Sequence, residues 1–281
     1  MRGIKSNRWR IAFGYALAVT ALAFASRYAA VNTENFTSTL RQISIGASVA
    51  SLALFLLQIA LNAIAFAYLN QAFGVTSDRL KLARIWSATL LAKYVPGGLW
   101  HVIGRGVVLA RLGISARTTV LVGAVEQSIS LLLCTLIAVI AFATTQPHVS
   151  VLIWIAGAVF LVGCALIAMR VARRFIDIMA VTKSLLLYAA AMIPYALGYF
   201  FLVSPSDPIR MLSALFAGTV AGILAVPMPG GLGVRESVAS VLSAGVDMPR
   251  ILIGFLAARA MILVAEVLAS TLNVAVVRER G

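Results

Sequence analysis

The chain has 281 residues, 62% hydrophobic and 11% charged, with a formal net charge of +14 and a mean hydropathy of +1.00. Soluble domains carry about 25% charged residues, so this composition excludes an ordinary soluble fold and implies a single membrane domain over 1–281, all-α and polytopic. The basic residues gather at the ends of apolar runs, where they set orientation, so neither nucleic-acid binding nor a histidine- or cysteine-built metal site is expected.

Residues 1–69 read as a two-span N-terminal unit. Arg2, Lys5, Arg8 and Arg10 precede an apolar run at 10–30. Ala23-Phe24-Ala25 resembles a signal-peptidase site, but the run continues to Val31, which favours a retained span. A second span is predicted at 43–69. The first repeat, 79–143, opens differently. Residues 85–95 allow at most 11 helical residues, about 16 Å, or half the hydrocarbon core. Pro96-Gly97-Gly98 stops this helix, a second short one follows over 99–112, and a full span is predicted at 118–143. Spans at 150–170 and 184–203 fill the connecting unit, 144–209. The second repeat, 210–281, follows the plan of the first. Short helices at 210–226 and 232–245 flank Pro227-Met228-Pro229-Gly230-Gly231, and a span is predicted at 251–276.

The two broken segments share a phrase. Lys93-Tyr94-Val95-Pro96-Gly97-Gly98-Leu99 in the first is echoed by Val226-Pro227-Met228-Pro229-Gly230-Gly231-Leu232 in the second. The expected architecture is six spanning helices plus two re-entrant helical hairpins. Non-helical backbone at membrane depth must be buried in protein or face water. With both termini cytoplasmic, 15 of the 23 basic residues fall in cytoplasmic segments and only Arg41, Arg210 and Arg250 in external loops. Three spans separate the hairpins, an odd number, so the hairpins enter from opposite faces. The halves are then an inverted-topology repeat, a design suited to alternating access.

Charged groups cluster at these hairpins: Lys93, His101 and Arg105 at the first, Arg235 and Glu236 at the second, Glu126 on the span after the first, and Arg259 and Glu266 on the last span. A charge at the bilayer centre costs about 2.5–3.5 kcal/mol on insertion scales, so these groups pair or face a polar cavity. The half-helices starting at Leu99 and Leu232 aim their N-termini at the midplane, where free N–H groups favour an anion. Arg105 and Arg235 lie within two turns of those N-termini, and a guanidinium fork suits phosphate. Simpler readings stand beside this one. Arg105–Glu126, Arg235–Glu236 or Glu126–Arg259 can be structural ion pairs. Glu266 serves either proton coupling or Arg259. Lys93 can snorkel, His101 can be an interior histidine, and Tyr94 and Trp100 can be packing residues. The glycines can serve close helix packing alone.

Lys93-Tyr94-Val95-Pro96-Gly97-Gly98-Leu99-Trp100 with Gly104-Arg105, and Pro229-Gly230-Gly231-Leu232-Gly233-Val234-Arg235-Glu236, resemble the two signatures of the lysylphosphatidylglycerol synthase transmembrane-region family. The resemblance covers essentially the whole chain in span number and motif spacing. It implies lipid translocation and carries over to Pro96, Gly97, Gly98, Arg105, Pro229, Gly230, Gly231, Gly233, Arg235 and Glu236. Members include the flippase half of the multiple peptide resistance factor, which moves aminoacylated phosphatidylglycerol across the inner membrane. Similar regions fused to glycosyltransferases imply polyprenyl-phosphate-linked or other glycolipids. The resemblance is to a stand-alone member without an aminoacyl-transferase domain, so lipid aminoacylation is not expected.

The expected function is therefore a flippase for an anionic phospholipid, an aminoacyl-lipid or a lipid-phosphate, in a bacterial or archaeal cytoplasmic membrane. A carrier for a small soluble anion or hydrophobic solute uses the same hairpins. A non-transporting scaffold for a separate glycosyltransferase or lipid-modifying enzyme is a third reading. No nucleophile–base constellation is visible, and neither enzymatic chemistry nor a cofactor is expected.

Overall fold

A computed structural model describes residues 43–94, 100–145, 177–225, 233–243 and 248–278, together with Gly157, Gly163 and Gly231. The described residues form helices joined by turns and loops, without strands. The spans expected at 10–30 and 150–170, and Pro96, Gly97, Gly98, Pro229 and Gly230 of the shared phrase, lie outside them.

Among the described residues, four helices are long and apolar enough to cross a membrane. They are α1 (Ile45–Ala72), α4 (Ala116–Thr145), α5 (Ile178–Val203) and α8 (Met248–Arg278). Each overlaps a span read from the sequence. Their 26 to 31 residues correspond to about 39–47 Å of helix. Four shorter helices accompany them. In the first repeat α2 (Arg79–Ala88) runs into a 3₁₀ turn (Leu90–Tyr94), and α3 (Trp100–Ala110) follows. In the second, α6 (Pro208–Leu224) is followed by α7 (Val234–Leu242).

The first short helix differs from its expected range of 85–95. It begins earlier because the Asp78 carboxylate accepts the Lys81 N–H at 3.0 Å and caps it. Its α-helical part ends earlier too. Thr89 Oγ1 donates back to the carbonyl of Ile85 or Trp86, each at 3.0 Å, and the chain tightens into 3₁₀ geometry. The break thus starts before the proline. Asp177 and Asp207 cap α5 and α6 in the same way as Asp78.

The packing is crossed between repeats. Helix α4, the span of the first repeat, lies along α6, the opening helix of the second; α8, the span of the second, lies along α2, the opening helix of the first. Helices α1 and α5 form the most extensive pair. Hydroxyls tie them at two levels: Ser51 donates to the Gly198 carbonyl at 2.7 Å, and Ser184 to the Ala65 carbonyl at 2.9 Å. Ser270 ties α8 to the Ser87 carbonyl of α2 at 2.9 Å. A hydroxyl in an apolar setting that finds such a carbonyl avoids the cost of an unmet donor.

Glycine supplies a close approach in the second repeat. Gly218 and Gly222, one turn apart on α6, let the backbone of α7 come in. A Cβ on Gly218 would lie 2.5 Å from the Arg235 carbonyl oxygen. Gly104 on α3 is the opposite case, with open space around its absent Cβ. Gly104→Ala is therefore expected to raise stability by about 0.5–1 kcal/mol, through helix propensity alone, in denaturant unfolding of the detergent-solubilised chain.

Candidate functional site

A cavity of about 470 Å³ is lined by residues of both broken segments. Lys93, His101, Arg105, Glu126, Gly231, Arg235, Arg259 and Glu266 all line it. These residues come from both repeats and are as far apart in the chain as 93 and 266. The crossed packing brings them together.

Arg105 and Glu126 form the more deeply buried of the two ion pairs seen among the described residues. Arg105 Nη1 lies 2.6 Å from Glu126 Oε2, with side chains 3% and 7% exposed. Trp86 Nε1 donates to the other carboxylate oxygen, Oε1, at 2.6 Å. The guanidinium also stacks over Phe66 at 4.5 Å and Trp86 at 5.6 Å. This is a satisfied, buried ion pair held by aromatic faces. It answers the choice left open for Arg105: the guanidinium is committed to a carboxylate. Glu126 is likewise taken by Arg105 and Trp86.

Lys93, at the end of the 3₁₀ turn, pairs with Glu266 of α8. The Lys93 Nζ lies 5.4 Å from the Tyr94 ring centre, and the Arg259 guanidinium lies 5.7 Å from the same ring. Tyr94 therefore acts as an aromatic face between two cations. Trp100 is exposed at the start of α3, away from this polar centre.

Arg235 is arranged differently from Arg105. Its Nη1 donates to Tyr195 Oη at 3.0 Å, while its Nε is buried without a hydrogen-bond partner. No carboxylate among the described residues lies within ion-pairing distance of it. Tyr195 Oη is itself bonded to Thr219 Oγ1 at 3.0 Å, and Thr219 to the Leu215 carbonyl at 2.8 Å. That chain anchors the tyrosine and aims the guanidinium. A Cβ on Gly222 would come within 3.3 Å of Arg235 Nε, so the bare helix backbone leaves that nitrogen its room.

Glu236 does not pair with Arg235. Its Oε2 accepts the Gly233 N–H at 2.8 Å, capping the start of α7. Adjacent helical residues do not face each other, which is why the two side chains part. The alternative of a structural Arg235–Glu236 ion pair is therefore not what the described residues form. The cap also weakens the α7 N-terminus as an anion site, because a carboxylate of the same chain already occupies it. Gly231 and Gly233 carry φ of +69° and +82°, so glycine is required to turn the chain into α7.

Several lining residues escaped the sequence reading. Gln58 and Asn62 of α1, Gln127 and Ser130 of α4, and Tyr188 and Tyr195 of α5 all face the cavity. The signal was present: one-turn polar spacings, Gln58/Asn62 and Gln127/Ser130, inside otherwise apolar runs. Among the described residues no cluster of three or more His, Cys, Asp or Glu is placed to hold a metal ion. Comparison with protein-family models and with curated proteins gave no match.

The lining therefore holds four basic side chains, Lys93, Arg105, Arg235 and Arg259, against two carboxylates, Glu126 and Glu266. The lining thus carries a basic surplus, and Arg235 Nε is buried beside it without a hydrogen-bond partner.

Proposed function

We propose that this chain is a lipid flippase. It would move a lipid bearing a phosphate or other anionic headgroup across a bacterial or archaeal cytoplasmic membrane. Six spans and two re-entrant hairpins entering from opposite faces would carry it, with both termini cytoplasmic. The observation that supports this most is the cavity itself: two broken segments contribute to one polar space with a basic surplus. The crossed packing of α4 on α6 and α8 on α2 supports an inverted repeat, since a twofold relation exchanges those two contacts. The headgroup would sit in the cavity, with Arg235 as its principal ligand, and the chains would remain in the bilayer. Alternating access would arise from one repeat rocking against the other.

Reconstituted vesicles test the reading. A fluorescent anionic phospholipid is expected to cross faster than in protein-free vesicles. Arg235→Gln should slow it about ten- to a hundredfold, the worth of a charge-assisted hydrogen bond of about 1.5–3 kcal/mol. No transport above protein-free vesicles by folded protein, across anionic phospholipids and lipid-phosphates, would overturn the proposal.

A further inference from the structure

The cationic groups of the cavity lining, Lys93, Arg105, Arg235 and Arg259, come from the 3₁₀ turn, α3, α7 and α8. Four uncharged polar groups, Gln58, Asn62, Gln127 and Ser130, join them from α1 and α4. Each uncharged pair repeats at helical spacing, so each presents one face of its helix to the cavity. None of the four makes a side-chain hydrogen bond to another described residue. Asn62 is only 8% exposed.

An amide in an apolar helix is costly unless something meets its two donors and its acceptor. Elsewhere in this fold several buried polar side chains reach backbone: Asn70 donates to the Phe66 carbonyl at 2.9 Å, and Ser51 and Ser184 donate across helices. Gln58, Asn62 and Gln127 instead point into the cavity unspent. A carboxamide offers a donor and an acceptor side by side, which matches a pair of neighbouring hydroxyls.

We infer that the cavity selects a phosphodiester lipid whose headgroup carries two or more hydroxyls, a polyol or sugar, with Asn62 and Gln127 reading the hydroxyls and Arg235 holding the phosphate. The inference rests on the flippase reading and narrows it. A headgroup ammonium is disfavoured, because four basic side chains line the cavity and both lining carboxylates are already paired.

Two phospholipids of equal charge separate the terms: phosphatidylglycerol, with two headgroup hydroxyls, and phosphatidylethanol, with none. Binding of each to the full chain in detergent is measured by native mass spectrometry at matched acyl chains. The wild type is expected to favour phosphatidylglycerol by about tenfold or more, the worth of one to two good hydrogen bonds. Asn62→Leu and Gln127→Leu should each shrink that ratio toward one while phosphatidylethanol binding stays. Arg235→Gln should weaken both lipids alike. Equal wild-type affinity for the two lipids overturns the hydroxyl reading alone. A wild-type ratio kept by both leucine variants also overturns it. Failure of both lipids to bind the wild type overturns the phosphate-and-hydroxyl assignment of this cavity, while transport in vesicles decides the flippase reading separately.

Discussion

Glu126→Ala is expected to cost about 3–5 kcal/mol of stability, the range for breaking a buried ion pair from one side. The substitution removes the partner of Arg105 Nη1 and of Trp86 Nε1 at once. Arg105 is 3% exposed, so water reaches its charge poorly, and the Trp86 indole N–H loses its carboxylate acceptor within a packed core. The aromatic faces of Phe66 and Trp86 recover a part of the loss, about 1–2 kcal/mol for a desolvated cation over a ring. The contrast with a double variant separates charge from packing. Arg105→Met together with Glu126→Met removes both buried charges and keeps volume, and should restore most of the stability. Denaturant unfolding in detergent reads both. A Glu126→Ala variant within about 0.5 kcal/mol of wild type, the scatter of a surface substitution, would mean that the pair does not hold α3 to α4.

Gly231→Ala is expected to be nearly as damaging. Its φ of +69° lies in the left-handed region, which costs an L-residue about 1–2 kcal/mol. A Cβ there would also meet the Gly222 carbonyl oxygen at 2.7 Å and Cα at 2.8 Å. Those are backbone atoms and cannot swing away, so overpacking adds about 1–3 kcal/mol. Gly218→Ala isolates the second effect, because its φ is ordinary while its Cβ would meet the Arg235 carbonyl oxygen at 2.5 Å. The expected order of stability is wild type, then Gly218→Ala, then Gly231→Ala, by thermal unfolding. Under the flippase activity proposed above, Gly231→Ala should depress lipid transport beyond its effect on folding, since it displaces the turn that leads into α7 and Arg235. If Gly231→Ala unfolds with wild type, the close approach of the second broken segment to α6 is wrong.

The long helices were legible because their signal is local. A run of about 20 apolar residues has few other fates, and the spans read at 43–69, 118–143, 184–203 and 251–276 overlap α1, α4, α5 and α8. Pro96-Gly97-Gly98 and Pro227-Met228-Pro229-Gly230, from which the interruptions are read, lie outside the described residues, and short helices are described on either side of each. Boundaries were less legible. Asp78 draws the first short helix back to Arg79, a capping effect that the apolar pattern does not carry. Among the site residues, the positions of charge were readable and their partners were not. Arg105 and Arg235 occupy similar places after their breaks, yet one is locked to Glu126 and the other is aimed by Tyr195 with a free Nε.

Hydropathy, helix stops and the rarity of charge decided that the chain builds apolar helices broken at two related points, with ionisable groups beside the breaks. These properties depend on neighbours within a turn or two, so the chain carries them before it folds. Packing decided everything that distinguishes one of those groups from another. Glu266 reaches Lys93 across 173 residues, and Trp86 and Tyr195 each reach their charged partners across 40. Which carboxylate meets which cation depends on how α4 crosses α6 and α8 crosses α2, and close glycine contacts and shared hydroxyls govern those crossings. Pairing in a low-dielectric core is a short-range matter of a few ångströms, and only the assembled helices bring the partners within that range.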